Sequence, residues 1–68
     1  MPYASNEDLP PGVRHHLPPE AQSIYREAFN NAWESYLGRA EHESIAHRVA
    51  WAAVKRRYVK LGDFWVPR

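Results

Sequence analysis

The sequence predicts a small, mostly helical domain of the α+β class. It has two long antiparallel helices, a short N-terminal helix, and a two-stranded sheet formed by the chain termini and packed on the longest helix. Three observations carry this reading. Apolar residues recur at helical spacing over residues 19–37 and again over 43–61. Proline and glycine punctuate both stretches, at Pro18-Pro19, Gly38 and Gly62-Asp63. Two segments with strand propensity, around Tyr3 and at Phe64-Trp65-Val66, fall outside the helices.

The chain has 68 residues, enough for one domain spanning 1–68. A domain this short buries only about 60% of the surface its unfolded chain exposes. Its core must therefore come from a few large side chains. Three Trp, four Tyr and two Phe supply them and argue for an ordered fold.

The N-terminal elements come first. Pro2 to Ala4 reads as extended, and Ser5-Asn6-Glu7-Asp8 as a turn in which Ser5 or Asp8 caps a helix. A short helical turn follows from Pro10 to His16, kept short by Gly12 and the next proline pair. Leu17 and Pro18 each precede a proline and so lie outside a helix.

The first long helix opens at Pro19, where a missing N–H costs little. Its stripe is Ala21, Ile24, Tyr25, Ala28, Phe29, Ala32, Trp33 and Tyr36. Gln22, Ser23, Arg26, Glu27, Asn30 and Asn31 belong to the other face. Gly38 ends the helix in the left-handed conformation.

The second long helix starts within Arg39–Glu43 and is expected to reach Leu61. Ile45, Val49, Ala52 and Ala53 make one apolar face, while Trp51, Val54, Tyr58 and Leu61 make another. A helix apolar on so much of its circumference is covered from two sides. The first long helix covers one side, and the N-terminal turn and terminal ribbon cover the other. The small residues Ala46, Ala50, Ala52 and Ala53 permit close approach. Phe64-Trp65-Val66 is expected to pair with the segment around Tyr3 and to lie on the Trp51–Tyr58 face.

The chemistry the chain excludes is as informative. There is no cysteine, hence no disulfide, thiolate metal site or cysteine nucleophile. No serine sits in a nucleophile elbow, and the glycines, Gly12, Gly38 and Gly62, form no phosphate loop. His15 and His16 are adjacent and diverge, and His42 and His47 are five apart and do not share a helical face. Glu43 and His47 can meet, but two ligands fall short of the three or four a metal needs. The expectation is no enzyme, no metal and no cofactor. No apolar run approaches the roughly 20 residues of a membrane span, and no signal pattern opens the chain. The expected location is the cytoplasm, and the expected state a monomer, with a dimer through leftover apolar surface as the weaker reading.

The formal net charge is +1, but it is unevenly distributed. The first long helix carries Glu20, Glu27 and Glu34 against Arg26. The second gathers Lys55, Arg56, Arg57 and Lys60 towards its end, with Arg48 completing a basic stripe. Cations at a helix C-terminus complement its dipole, so a solvated face accounts for much of this pattern. The same stripe also suits nucleic-acid phosphates, an acidic protein surface or anionic lipid heads.

Two stretches together resemble a known family. One runs Asp8-Leu9-Pro10 through Leu17-Pro18 into Ala21-Gln22-Ser23-Ile24-Tyr25-Arg26-Glu27-Ala28-Phe29-Asn30-Asn31-Ala32-Trp33. The other is Ala46-His47-Arg48-Val49-Ala50-Trp51-Ala52-Ala53-Val54-Lys55-Arg56-Arg57-Tyr58. Both, with the opening Met1-Pro2-Tyr3, resemble the bacterial ChaB family of cation transport regulators. The resemblance implies helices with a small sheet against the middle of the longest one. The family's name derives from a genetic neighbourhood with a cation antiporter, and some viral members are described as nucleic-acid binders. The chain departs from the family pattern in a short linker, Gly38 to Glu43, and an apolar rather than lysine-rich tail, Phe64 to Arg68.

The functional expectation is a non-enzymatic regulatory or adaptor protein. It would act on a calcium/proton or sodium/proton antiporter through protein–protein contact, with the transporter's cytoplasmic part as partner. The alternative is a nucleic-acid-binding protein using the basic end of the second long helix. The partner-facing candidates are Asn30, Asn31, His47, Arg48, Lys55, Arg56, Arg57 and Lys60.

Overall fold

The computed structural model describes residues 2–68; Met1, which opens the family-like motif, lies outside the described residues. A single 3₁₀ turn, Asn6–Asp8, precedes α1 (Pro11–Arg14), α2 (Pro19–Ser35), α3 (His42–Arg57), β1 (Tyr58–Leu61) and β2 (Phe64–Pro67). The class is the expected one: helices with a two-stranded antiparallel sheet. The composition of the sheet is not.

The termini do not pair with each other. β1 and β2 form a hairpin, with Tyr58 opposite Pro67, Val59 opposite Val66, Lys60 opposite Trp65 and Leu61 opposite Phe64. The second long helix therefore stops at Arg57 and not at Leu61, so α2 at 17 residues is longer than α3 at 16. Tyr58 turns directly from helix to strand, at φ −132° and ψ 153°. The physical reason is pairing. A helix carried on to Leu61 would leave Phe64-Trp65-Val66 without a ladder, and a lone strand has no place for its backbone groups. Gly62 and Asp63 make a two-residue loop. Gly62 has φ +60° and Asp63 has no positive φ, which is the type II′ pattern.

Ser5 caps the 3₁₀ turn: its N–H donates to the Asp8 carboxylate at 3.2 Å, and the Asp8 N–H donates to the Ser5 carbonyl at 3.1 Å. Pro11 and Pro19 open their helices at positions where no N–H is needed. Gly38, at φ +89°, lies in the turn after α2.

α2 and α3 run antiparallel. Trp33 meets His42, Phe29 meets His47 and Tyr25 meets Trp51, so early residues of one face late residues of the other. The row Ala46, Ala50 and Val54 is fully buried against α2. Sequence periodicity placed the α3 faces slightly off. Val49 is 38% exposed, Ala52 is exposed and Leu61 is 61% exposed. The buried arc is instead centred on Ala46, Ala50 and Val54, whose spacing of four keeps them on one side.

The second side of the core belongs to the N-terminal segment. Leu9, Val13 and Leu17 are buried in the same cluster as Tyr25, Phe29 and Tyr58. What holds this segment down is the polar face of α2. Gln22, Arg26 and Asn30 recur every four residues and form one row. Gln22 Nε2 donates to the carbonyls of Leu17 at 2.8 Å and Arg14 at 3.1 Å. Arg26 Nε donates to Asn6 Oδ1 at 2.8 Å, and Asn6 Nδ2 donates to Ser23 Oγ at 3.1 Å. Asn30 Nδ2 donates to the Tyr3 carbonyl at 2.9 Å and Asn30 Oδ1 accepts from the Tyr3 N–H at 3.2 Å. Segment 2–4 is extended as expected, but it pairs with a side-chain amide, not with a strand.

Candidate interaction surface

The eight candidate residues separate into distinct environments. Asn30 is buried, 6% exposed, and its amide is committed to Tyr3. The expectation that it faces a partner is corrected on that ground: both ends of the amide are already bonded inside the fold.

His47 is half-buried between Tyr25 and Phe29. Its Nδ1 is hydrogen-bonded to the Tyr25 hydroxyl, where the sequence suggested Glu43. This too is a packing role. Burial raises the Tyr25 phenol to about 12, with a smaller contribution from the neighbouring Tyr3, so at neutral pH it stays protonated. A phenol both donates and accepts, so the imidazole tautomer sets the direction of this bond. Glu43 instead lies near Tyr3, whose pKa is raised by burial first and by that carboxylate second.

The remaining candidates are exposed but do not form one stripe. Asn31 and Arg56 come together from α2 and α3 across an open groove floored by Ala28, Ala32 and Ala53. Arg57 and Glu27 stand with them at one end. Lys55 and Lys60 line a different groove with His16, Trp51 and Trp65. Arg48 is exposed two helical turns before Lys55 and shares its face. The basic cluster divides because α3 ends at Arg57. Helical phase sets Lys55 and Arg56 about 100° apart, towards different grooves, and Lys60 continues in a strand.

Sequence reasoning placed Phe64-Trp65-Val66 on the Trp51–Tyr58 face, where Trp65 does pack on Trp51, but it missed the hairpin that brings it there. Trp51 and Trp65 lie 5.5 Å apart between centroids, inclined by 31°. A signal was present: strand-forming residues flank Gly62-Asp63 on both sides, which is a hairpin signature. The helical spacing of Val54, Tyr58 and Leu61 masked it. Also missed was His42, whose ring meets Trp33 at 4.0 Å and whose Nδ1 lies 3.2 Å from the Arg39 carbonyl.

Among the described residues no group of three His, Cys, Asp or Glu side chains gathers as a metal site would require. Among the described residues no helix is long and apolar enough to cross a membrane.

The ChaB family model matches residues 9–68. The chain belongs to the ChaB family. It is 51% identical over 69 aligned positions to the "Putative cation transport regulator ChaB" of Escherichia coli strain K12, covering 93% of this chain and 91% of that protein. The protein of the same name from Shigella flexneri matches to the same extent. The NMR solution structure of the ChaB regulator is similar at a TM-score of 0.88 and 49% identity, covering 98% of this chain and 99% of that one. The ChaB fold is thus the fold of this chain, hairpin and helices together. The named relatives are described as regulators of cation transport, not as enzymes.

Proposed function

We propose that this ChaB-family chain is a non-enzymatic regulatory protein of the cytoplasm that acts as a monomer. It binds the cytoplasmic part of a cation antiporter through the groove between α2 and α3. The name carried by its relatives supports the transport context. The observation that carries the contact surface is the meeting of Asn31 and Arg56 over Ala28, Ala32 and Ala53. Asn30 and Gln22 are committed to the N-terminal segment, whereas Asn31 and Arg56 stay exposed. A small-residue floor with a guanidinium at its rim suits a segment bearing a carboxylate, because arginine engages that group through two parallel bonds.

The test is co-expression with the cation/proton antiporters of the same genome and affinity retrieval in mild detergent. Wild-type chain should retrieve an antiporter, and Arg56→Glu should cut retrieval by about tenfold or more, the range for truncating an interfacial charge pair. If wild type retrieves none of them, the reading fails.

Nucleic-acid binding is the second reading, and one observation favours it: Lys55 and Lys60 stand beside Trp51 and Trp65, cations next to aromatic faces. Against it, the other cations lie in a separate groove together with Glu27. Undetectable binding to both DNA and RNA at low salt ends it.

A further inference from the structure

Strand alternation sorts the hairpin into two faces. Tyr58, Lys60, Trp65 and Pro67 share the inner one: Tyr58 is buried and Trp65 packs on Trp51. The outer face carries Val59, Leu61, Phe64 and Val66, and every one is apolar. Leu61 and Phe64 pair across the strands next to the loop and are 61% and 74% exposed. They are the most exposed part of this face, beside the loop that joins the strands. Neither they nor the two valines belong to the core cluster.

We propose that the outer face of this hairpin docks on the surface of an anionic lipid bilayer. The fold does not use this face, and its surroundings select the occupant. Arg57 and Arg68 meet at the open end of the hairpin, where the Arg68 N–H donates to the Arg57 carbonyl, and both are exposed, while Lys55 and Lys60 lie on the inner side. Asp63 is the single acidic side chain from Tyr58 to Arg68. An apolar face with cations at its open end complements a surface that is apolar within and negative at its headgroups.

A second copy fits less well. Four side chains offer far less than the roughly 800 Å² per partner that a stable interface buries. A bilayer sets no such threshold, because each apolar side chain partitions on its own area. This is interfacial docking and not a membrane span. It stands apart from the antiporter reading, and either can fail while the other holds.

The experiment is co-sedimentation of the full chain with vesicles of phosphatidylcholine alone or mixed with phosphatidylglycerol. The chain should sediment with the mixed vesicles and hardly at all with phosphatidylcholine. Combining Leu61→Ser with Phe64→Ser should lower partitioning by about tenfold or more, from the apolar area withdrawn. Arg68→Glu should lower it by about fivefold or more, since each juxtamembrane cation counts for about 1 kcal/mol. Near-UV circular dichroism checks that the variants keep the fold. Should the double variant fail to fold, Phe64→Asp alone gives the same readout.

Two results overturn the proposal. One is wild-type chain staying in the supernatant with mixed vesicles at low salt. The other is the double variant binding as well as wild type, which would reduce the contact to charge alone. A concentration-dependent dimer that the double variant abolishes, with no vesicle binding, would assign the face to a second copy instead.

Discussion

The Asn30 side-chain amide forms two hydrogen bonds with the backbone of Tyr3, donating to its carbonyl at 2.9 Å and accepting from its N–H at 3.2 Å. This is the exchange two residues make in an antiparallel ladder, performed here by a side chain from α2. It holds the N-terminal segment 27 positions away in sequence and places Tyr3 against Phe29, with centroids 4.8 Å apart.

Asn30→Asp should therefore destabilise the chain. A carboxylate accepts from the Tyr3 N–H but turns a second acceptor towards the Tyr3 carbonyl. The expected loss is about 1–3 kcal/mol, the range for leaving a buried polar group unsatisfied. Urea unfolding measures it. Hydrogen exchange at the Tyr3 amide should speed up by more than at the amides of α3, because the segment is released before the helices part.

How much of this was legible follows from what a sequence pattern can encode. The stripe from Ala21 to Trp33 placed α2, since burial on one side repeats every three to four residues. Pro19 and Gly38 marked its limits to within a few residues. The row Gln22, Arg26 and Asn30 was read as surface because polar side chains usually are. Its bonds run to backbone carbonyls and to Asn6 in a segment with no periodicity of its own, so no local signal could reveal them. The end of α3 was misplaced because Tyr58 and Leu61, three apart, continue the helical spacing of Val54, although in the strand they fall on opposite faces. The candidate surface suffered from both errors. Asn30 left it, and the basic residues divided once the helix stopped at Arg57.

The Tyr25–His47 hydrogen bond predicts the response to alkali. Burial raises the Tyr25 phenol from its ordinary 10.0 to about 12, and burial raises Tyr3 and Tyr58 as well. A group whose folded pKa lies above its unfolded one stabilises the fold fully below the unfolded value. That stability is lost as pH rises through the folded value. Stability should thus be level near neutrality on this account and fall between pH 10.0 and about 12. Urea midpoints across that window check it, with tyrosinate absorbance followed in parallel. Tyr25→Phe should flatten part of the fall. At neutral pH it should itself cost about 1–2 kcal/mol by leaving His47 Nδ1 unpaired.

The loop between β1 and β2 depends on Gly62, held at φ +60°. No atom lies within 4 Å of where a Cβ would stand, so space is not the constraint. Gly62→Ala should still cost about 1–2 kcal/mol, because an L-residue pays a backbone penalty in the left-handed region. The effect should concentrate in the hairpin. Trp51 and Trp65 pack at 5.5 Å between centroids, so a loosened hairpin should weaken the near-UV circular dichroism of that pair before far-UV helicity falls. Gly62→Asn, which tolerates this conformation better, should recover much of the loss.

The last prediction tests the face α3 turns to α2. Periodicity alone grouped Ala52 with the buried residues and left Ala50 beside them, whereas Ala50 is fully buried and Ala52 is exposed. The two positions are neighbours in sequence and nearly opposite in phase, since two residues rotate a helix by about 200°. Leucine matches alanine closely in helix propensity, so substitution at either site changes packing more than it changes the helix. Ala50→Leu must force α3 away from Tyr25 and Phe29 and should cost about 1–3 kcal/mol, the usual price of overpacking. Ala52→Leu meets no such wall and should stay within about 0.5 kcal/mol of wild type. Chemical denaturation of the two variants side by side decides it. Equal losses would mean that α3 is rotated from the phase described above, and the groove formed by Asn31 and Arg56 would then have to be redrawn with it.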